Sequence, residues 1–320
     1  MFKNIAPGRW LVDWIPVLDR LPDALAPWRR KAVRIREQIM PFFAVFYNRI
    51  KERVERGEAP ECFLTSITQE NGANLDVTGP PHIIATTMAA GTDTTATTLQ
   101  HFFKAAVMFP DVIREAQKEI DAVVGRNRLP GWEDRSNLPY IAAMINETHR
   151  WASATPLAFP HATSQQDKYR DSIIPAGATV FGNVFAIHND PEVFQKPGEF
   201  MPERYLAQTD PRAVPDASRI DGHYAFGFGR RECPGKHVAD ASLYIVISRT
   251  LWAFDIVGNP EKPPRPGYSG GPVFGPARFR AIVRPRDEAV APLIRKEAEA
   301  NRPADVEDST VYEKLVAGMS

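Results

Sequence analysis

Apolar positions recur at helical spacing through most of the chain and give way to extended stretches only briefly. This pattern predicts a mainly α protein with small β-sheets. Residues 80–109 predict one long helix, with Pro80 and Pro81 at its start and Pro110 at its end. Residues 110–124 predict an amphipathic helix closed by Gly125, and residues 138–152 predict another. Two short strands come next, Leu157-Ala158-Phe159 and, after the Pro175-Ala176-Gly177 turn, Thr179-Val180-Phe181. Residues 186–224 read as loops with short helices, Lys236 to about Ala253 as a helix, and 268–284 as a hairpin carrying Gly270, Gly271 and Gly275. Toward the N-terminus, residues 1–30 predict short helical pieces broken by prolines. Residues 29–56 predict a helix with a basic face (Arg29, Arg30, Lys31, Arg34, Arg36), interrupted near Pro41. The tail from about 287 is polar and predicts a solvated helix or partial disorder.

Composition narrows the picture. A chain of 320 residues, 43% hydrophobic, can bury a large core. Its 39 basic and 39 acidic residues balance, so charge makes no case for nucleic acid as a partner. Cys62 and Cys233 are too few for a disulfide framework or a four-cysteine zinc site, and fit a reducing compartment or a cytosol-facing surface. No run of about 18 apolar residues predicts a transmembrane helix, and the first residues carry no signal-peptide pattern.

The chemistry centres on Phe226-Gly227-Phe228-Gly229-Arg230-Arg231-Glu232-Cys233-Pro234-Gly235. Three glycines let the backbone turn around Cys233, and the next helix presents its N-terminal N–H groups nearby. Pro234 suits a first helical position. A sulfur held there can serve as an axial ligand of a haem iron. The spacing Phe-x-x-Gly-x-Arg-x-Cys-x-Gly resembles the haem-binding loop of the cytochromes P450. The resemblance implies haem b (iron protoporphyrin IX) ligated by Cys233, with Arg231 on a propionate, Phe226 packed near the cysteine, and Gly229 and Gly235 leaving room for the porphyrin.

Other segments extend the resemblance in the family's order. Ala90-Gly91-x-Asp93-Thr94-Thr95 resembles the oxygen-binding stretch of the family's long helix. Small residues at 90 and 91 let a flat group approach, and the Thr94 hydroxyl can bond back to the Ala90 carbonyl and open the helix locally. The resemblance makes Asp93 and Thr94 the catalytic pair that delivers protons during oxygen activation. Glu147 and Arg150, at i,i+3, together with Arg204 in Pro202-Glu203-Arg204-Tyr205, would form a buried triad that locks the segment leading to Cys233; Tyr205 stands where the family usually has Phe. His161, in Phe159-Pro160-His161, would contact a propionate. Thr86, Thr87, Leu157, Phe159, Val273 and Phe274 match substrate-facing positions, and their mostly apolar character implies a lipophilic small molecule. His188 matches a position of structural character.

The implied protein is a haem-thiolate monooxygenase of fungal microsomal type that inserts one atom of O2 into its substrate in secondary metabolism. NADPH-cytochrome P450 reductase would supply the electrons, at the cytosolic face of the endoplasmic reticulum; the Trp- and Pro-rich start could line a pocket, touch a membrane surface or serve ordinary packing. The alternatives are a haem-binding remnant without activity and an O2-independent haem-thiolate isomerase or dehydratase. The resemblance covers residues 1–286 as a P450 domain lacking its N-terminal part, the C-terminal portion of that fold, with 287–320 as a polar extension. None of the six Trp residues has Arg four positions later, the propionate-binding pattern of an early family helix. The expectation is therefore a chain that does not turn over alone, with an exposed apolar patch beside its long helix.

Overall fold

A computed structural model describes residues 10–71, 79–214, 222–265, 267–270 and 273–301. The chain divides into two compact units, Met1–Thr92 with Asn301–Ser320, and Asp93–Ala300. In order, the helices are α1 (Leu11–Trp14), α2 (Pro27–Glu55), α3 (Phe63–Asn71), α4 (Gly79–Met108), α5 (Pro110–Val123), α6 (Pro139–Trp151), α7 (Val184–His188), α8 (Lys236–Ala253) and α9 (Val290–Ala300). The strands are β1 (His161–Ala162), β2 (Asp167–Tyr169), β3 (Ser172–Ile174), β4 (Thr179–Val180), β5 (Phe254–Gly258), β6 (Tyr268–Gly270), β7 (Phe274–Pro276) and β8 (Ala281–Pro285). All pairings are antiparallel and two-stranded: β1 with β4, β2 with β3, β5 with β8, and β6 with β7. The protein is mainly helical with small sheets.

In the first unit, α2 continues through Pro41 where an interruption was expected. A proline removes one ladder hydrogen bond. Here packing compensates: Phe42 meets Phe43 and Phe46 edge-on, and Phe43 is buried with Ile84 and Ala85.

In the second unit, one core joins Phe102 and Ala106 of α4, Ile113 and Ile120 of α5, Ile141 and Met144 of α6, and Leu243, Ile247 and Trp252 of α8. Trp252 and Gln117 find hydrogen-bond partners inside it. The Trp252 indole N–H donates to the Gly125 carbonyl at 2.8 Å, and the Gln117 amide donates to the Leu251 and Phe254 carbonyls at 3.2 Å.

Several expectations change. Residues 157–159 are not a strand. Ala158 sits at φ 52° in a turn whose N–H bonds the Thr155 carbonyl, and pairing begins only at His161, opposite Val180. The tail is not wholly solvated: Val290 of α9 is buried in the core, with Leu293 and Ile294 against it. Its last part, 302–320, lies outside the described residues. Helix α4 is unbroken through 90–95, so the local opening expected at Thr94 is not a break in the helix. Threonine hydroxyls bond back without one: Thr87 Oγ1 to the Ile83 carbonyl at 2.8 Å and Thr98 Oγ1 to the Thr94 carbonyl at 3.0 Å.

Candidate functional site

The loop around Cys233 is shaped by its own backbone. Gly227, at φ 84°, donates its N–H to the Tyr224 carbonyl at 3.0 Å, and Gly229 turns at φ 56°. Both are left-handed conformations that glycine adopts without strain. The Cys233 N–H then closes the loop on the Phe226 carbonyl at 2.8 Å. Pro234 and Gly235 form a turn, and α8 begins only at Lys236, so Pro234 lies before the helix rather than at its first position. A Cβ built on Gly235 would lie 3.9 Å from the Cys233 sulfur. The thiol is free and exposed, and Arg230 and Arg231 beside it are exposed as well.

One shaping residue escaped sequence reading. A Cβ on Gly182 would lie 2.7 Å from the Phe228 ring, so glycine here lets that ring lie against the segment after β4. Phe228 stacks on Tyr224 at 5.1 Å. The signal was present as a lone Gly at a strand end, which marks close approach of another segment.

Behind the loop lie three buried charges. Arg150 donates from Nε and Nη2 to the two oxygens of Glu147, each at 2.7 Å. Arg204 Nε lies 3.1 Å from Glu147 Oε2, and the Met201 N–H donates to Oε1 at 2.9 Å. The Glu147 and Arg150 side chains are fully buried, as is that of Arg204. Burial pushes the Glu147 carboxyl up, while Arg150 and Arg204 pull it back down. These three side chains meet; the other positions are spread over separate elements. Tyr205 is partly buried beside them, and among the described residues its buried hydroxyl finds no partner.

Thr86, Thr87, Ala90, Gly91 and Thr94 recur at i, i+3/i+4 and i+7 along α4, a single stripe. All but Thr94 are exposed, Asp93 is exposed, and a Cβ on Gly91 would meet open space. His161 is exposed in β1, and Leu157 and Phe159 are exposed in the turn before it. Phe274 is fixed twice: its N–H donates to the Ala154 carbonyl and its carbonyl pairs with His101 Nε2, both at 2.8 Å. Val273 precedes it at the start of β7.

A haem needs one soft axial ligand, apolar surface for the ring and cations for its propionates. The second unit supplies an exposed free thiol, exposed Leu157, Phe159, Phe181, Phe185 and Phe228, and exposed Arg231 and His161. The residues present fit the group.

The family model for cytochrome P450 matches residues 4–281. Cytochrome P450 monooxygenase polD of Polytolypa hystricis is 39% identical over 93% of this chain and 58% of its own length. Monooxygenase 231 of Postia placenta is 36% identical over 90% and 56%, and drtD of Aspergillus calidoustus 39% over 96% and 57%. The chain thus spans a little over half the length of these curated relatives. A solved structure of a zebrafish cytochrome P450 with abiraterone superposes with a TM-score of 0.59 at 28% identity, covering 70% of this chain and 53% of that one. With the model matched over most of its length, and a free cysteine in a glycine-turned loop at the mouth of α8, the chain belongs to the cytochrome P450 family, whose members carry haem.

Proposed function

We propose that the chain carries the haem-thiolate part of a monooxygenase that inserts one atom of O2 into a lipophilic small molecule, with electrons from NADPH through a cytochrome P450 reductase. The observation that carries this reading is the Cys233 thiol, exposed and free, in a loop closed by its own N–H on the Phe226 carbonyl. Haem b, when bound, supplies the iron at which O2 is activated. Cys233 holds it through sulfur. Arg231 would offer its guanidinium and His161 a ring nitrogen to its propionates, and Phe226 supports the loop from within. Gly229 and Gly235 keep the loop's surface free of Cβ atoms. On α4, Ala90 and Gly91 leave room for a flat group, and Asp93 and Thr94 hold and hand on the protons that oxygen activation consumes. Thr86, Thr87, Leu157, Phe159, Val273 and Phe274 border the substrate, and their apolar majority excludes water. We place its action in secondary metabolism at the cytosolic face of the endoplasmic reticulum. Among the described residues, no helix is long and apolar enough to cross a membrane.

The test is the reduced carbon monoxide difference spectrum of the haem-loaded protein. A thiolate-type band that disappears in Cys233→Ser, with haem still bound, is the expected result. An unchanged band in that variant sinks the assignment.

A further inference from the structure

Three histidines sit together behind the cysteine loop: His149 on α6, His188 at the end of α7, and His223 at the entry to the loop. The His149 and His223 rings lie 4.6 Å apart, both touch the Phe226 ring (4.8 and 5.4 Å), and His188 meets His223 edge-on at 6.3 Å. His149 and His188 are buried, and His223 is partly so.

Their hydrogen bonds fix their chemical state. His188 Nε2 accepts the Tyr224 N–H at 2.9 Å, and His223 Nδ1 accepts the Ala225 N–H at 3.1 Å. A ring nitrogen that accepts carries no proton, so His188 is the Nδ1–H tautomer and His223 the Nε2–H tautomer. Among the described residues, His149 Nε2 and His188 Nδ1 have no hydrogen-bond partner. Leucine would fill similar space without an unpaired polar atom.

The two accepted N–H groups belong to consecutive residues, and the cysteine loop begins directly after them. The Tyr224 carbonyl receives the Gly227 N–H, and the Phe226 carbonyl receives the Cys233 N–H. The same helix that carries His149 carries Glu147 and Arg150, and Arg150 Nη1 donates to the His188 carbonyl at 2.8 Å. The buried charge lock therefore holds the backbone of His188, whose ring in turn holds that of Tyr224.

We propose that His188 and His223, with His149 packed against His223, are positioning residues for Cys233. They act as neutral acceptors that pin the backbone at Tyr224 and Ala225 and so set where the sulfur stands. They touch neither substrate nor sulfur in this role. The inference rests on Cys233 being the ligand, but its geometry can be read without haem.

The test separates acceptor chemistry from mere bulk. His188→Gln and His223→Asn place an amide oxygen where Nε2 and Nδ1 now accept; His188→Leu and His223→Leu keep bulk and remove the acceptor. On the chain itself, hydrogen exchange is read at the Tyr224, Ala225 and Cys233 amides. Alkylation of Cys233 by iodoacetamide is read by peptide mass, so that Cys62 is scored apart. Each leucine variant should speed exchange at its own partner amide about tenfold, the scale of one lost hydrogen bond, and should also shift exchange and alkylation at Cys233. The Gln and Asn variants should stay close to wild type. Should a leucine variant fail to fold, the amide variants and His149→Phe, which keeps the ring contact, still test the role: both must retain wild-type behaviour at Cys233. Adding haemin, dithionite and carbon monoxide to the wild-type chain reports separately on the ligand reading, since absence of a thiolate-type band there leaves the exchange result standing. The proposal is overturned if the leucine and amide variants behave alike, or if exchange rises at 224 and 225 while Cys233 is unmoved.

Discussion

Replacing Glu147 by leucine removes the only carboxylate described at the meeting of two buried guanidiniums. Arg150 loses its two 2.7 Å bonds, Arg204 loses its 3.1 Å partner, and the Met201 N–H loses its acceptor. Both arginine side chains are fully buried, so water cannot replace what is lost. Removing one member of a buried charge pair costs roughly 3–5 kcal/mol, because an uncompensated charge remains. The second unit, 93–300, is of a size at which 1 kcal/mol moves the melting temperature by about 2–4 °C. The expected drop is therefore roughly 6–20 °C, a large part of a domain stability of about 5–15 kcal/mol.

The assay is thermal and urea unfolding followed by far-ultraviolet circular dichroism, with Arg150→Met as a companion. A third variant, with Glu147, Arg150 and Arg204 all made apolar, tests the cause. It should recover stability relative to Glu147→Leu, since an apolar cluster leaves no charge unpaired, although the carbonyls that the arginines serve would stay unmet. A loss below about 1 kcal/mol in Glu147→Leu would refute the reasoning, because that is the scale of an exposed pair.

The same geometry sets three further outcomes. Tyr205→Phe should stabilise the protein by about 1 kcal/mol, since it deletes a buried hydroxyl without a described partner; a loss of stability in urea would show that the hydroxyl is satisfied. Gly182→Ala sets a Cβ 2.7 Å from the exposed Phe228 ring, which should swing off Tyr224 and speed exchange at the Gly227 amide with little change in melting temperature; unchanged exchange would refute the close approach. Burial depresses His188 to about 3, and His223 and His101 to about 4, from 6.5. The unfolded chain therefore binds more protons than the folded one between these values, so stability is full above pH 6.5 and falls as pH drops toward 4, by about 1.4 kcal/mol per unit for each group. A urea midpoint flat from pH 6.5 to 4 would contradict this, and Asp210, lowered to about 2 by Arg212, acts only below that window.

What the sequence made legible was local. The glycines and cysteine of 226–235, the Glu147–Arg150 spacing and the proline brackets of α4 each act within a few residues, so their pattern survives in one dimension. Glu147 and Arg204 are 57 positions apart, and the resemblance, not spacing, joined them. The rest depended on partners distant in sequence. Pro41 is tolerated because aromatic packing holds α2 around it. Residues 157–159 look extended by composition, yet Ala158 turns left-handed where the chain must swing toward the β1–β4 pair. The imidazoles of His149, His188 and His223 each looked ordinary alone, because nothing in a sequence shows that His149 and His188, on two different helices, both meet His223.

The charge lock also explains how a segment without a β ladder can hold a fixed path. Between α7 and the cysteine loop the described backbone has turns and bends, an isolated bridge at Phe194 and one short 3-10 piece, Pro202–Tyr205. Buried carbonyls there must find donors elsewhere. Arg150 supplies them: Nη1 donates to the His188 and Pro197 carbonyls, at 2.8 and 2.9 Å, and Nη2 to that of Glu199 at 3.0 Å. With the two bonds to Glu147, its five N–H donors are all used. Arg204 Nη1 serves the Gln195 carbonyl at 3.1 Å. Glu147 is thus the counter-charge that lets two guanidiniums stand in for a sheet edge inside the core. A hydrophobic triad could match the volume and relieve the charge, but it would leave these four carbonyls unmet.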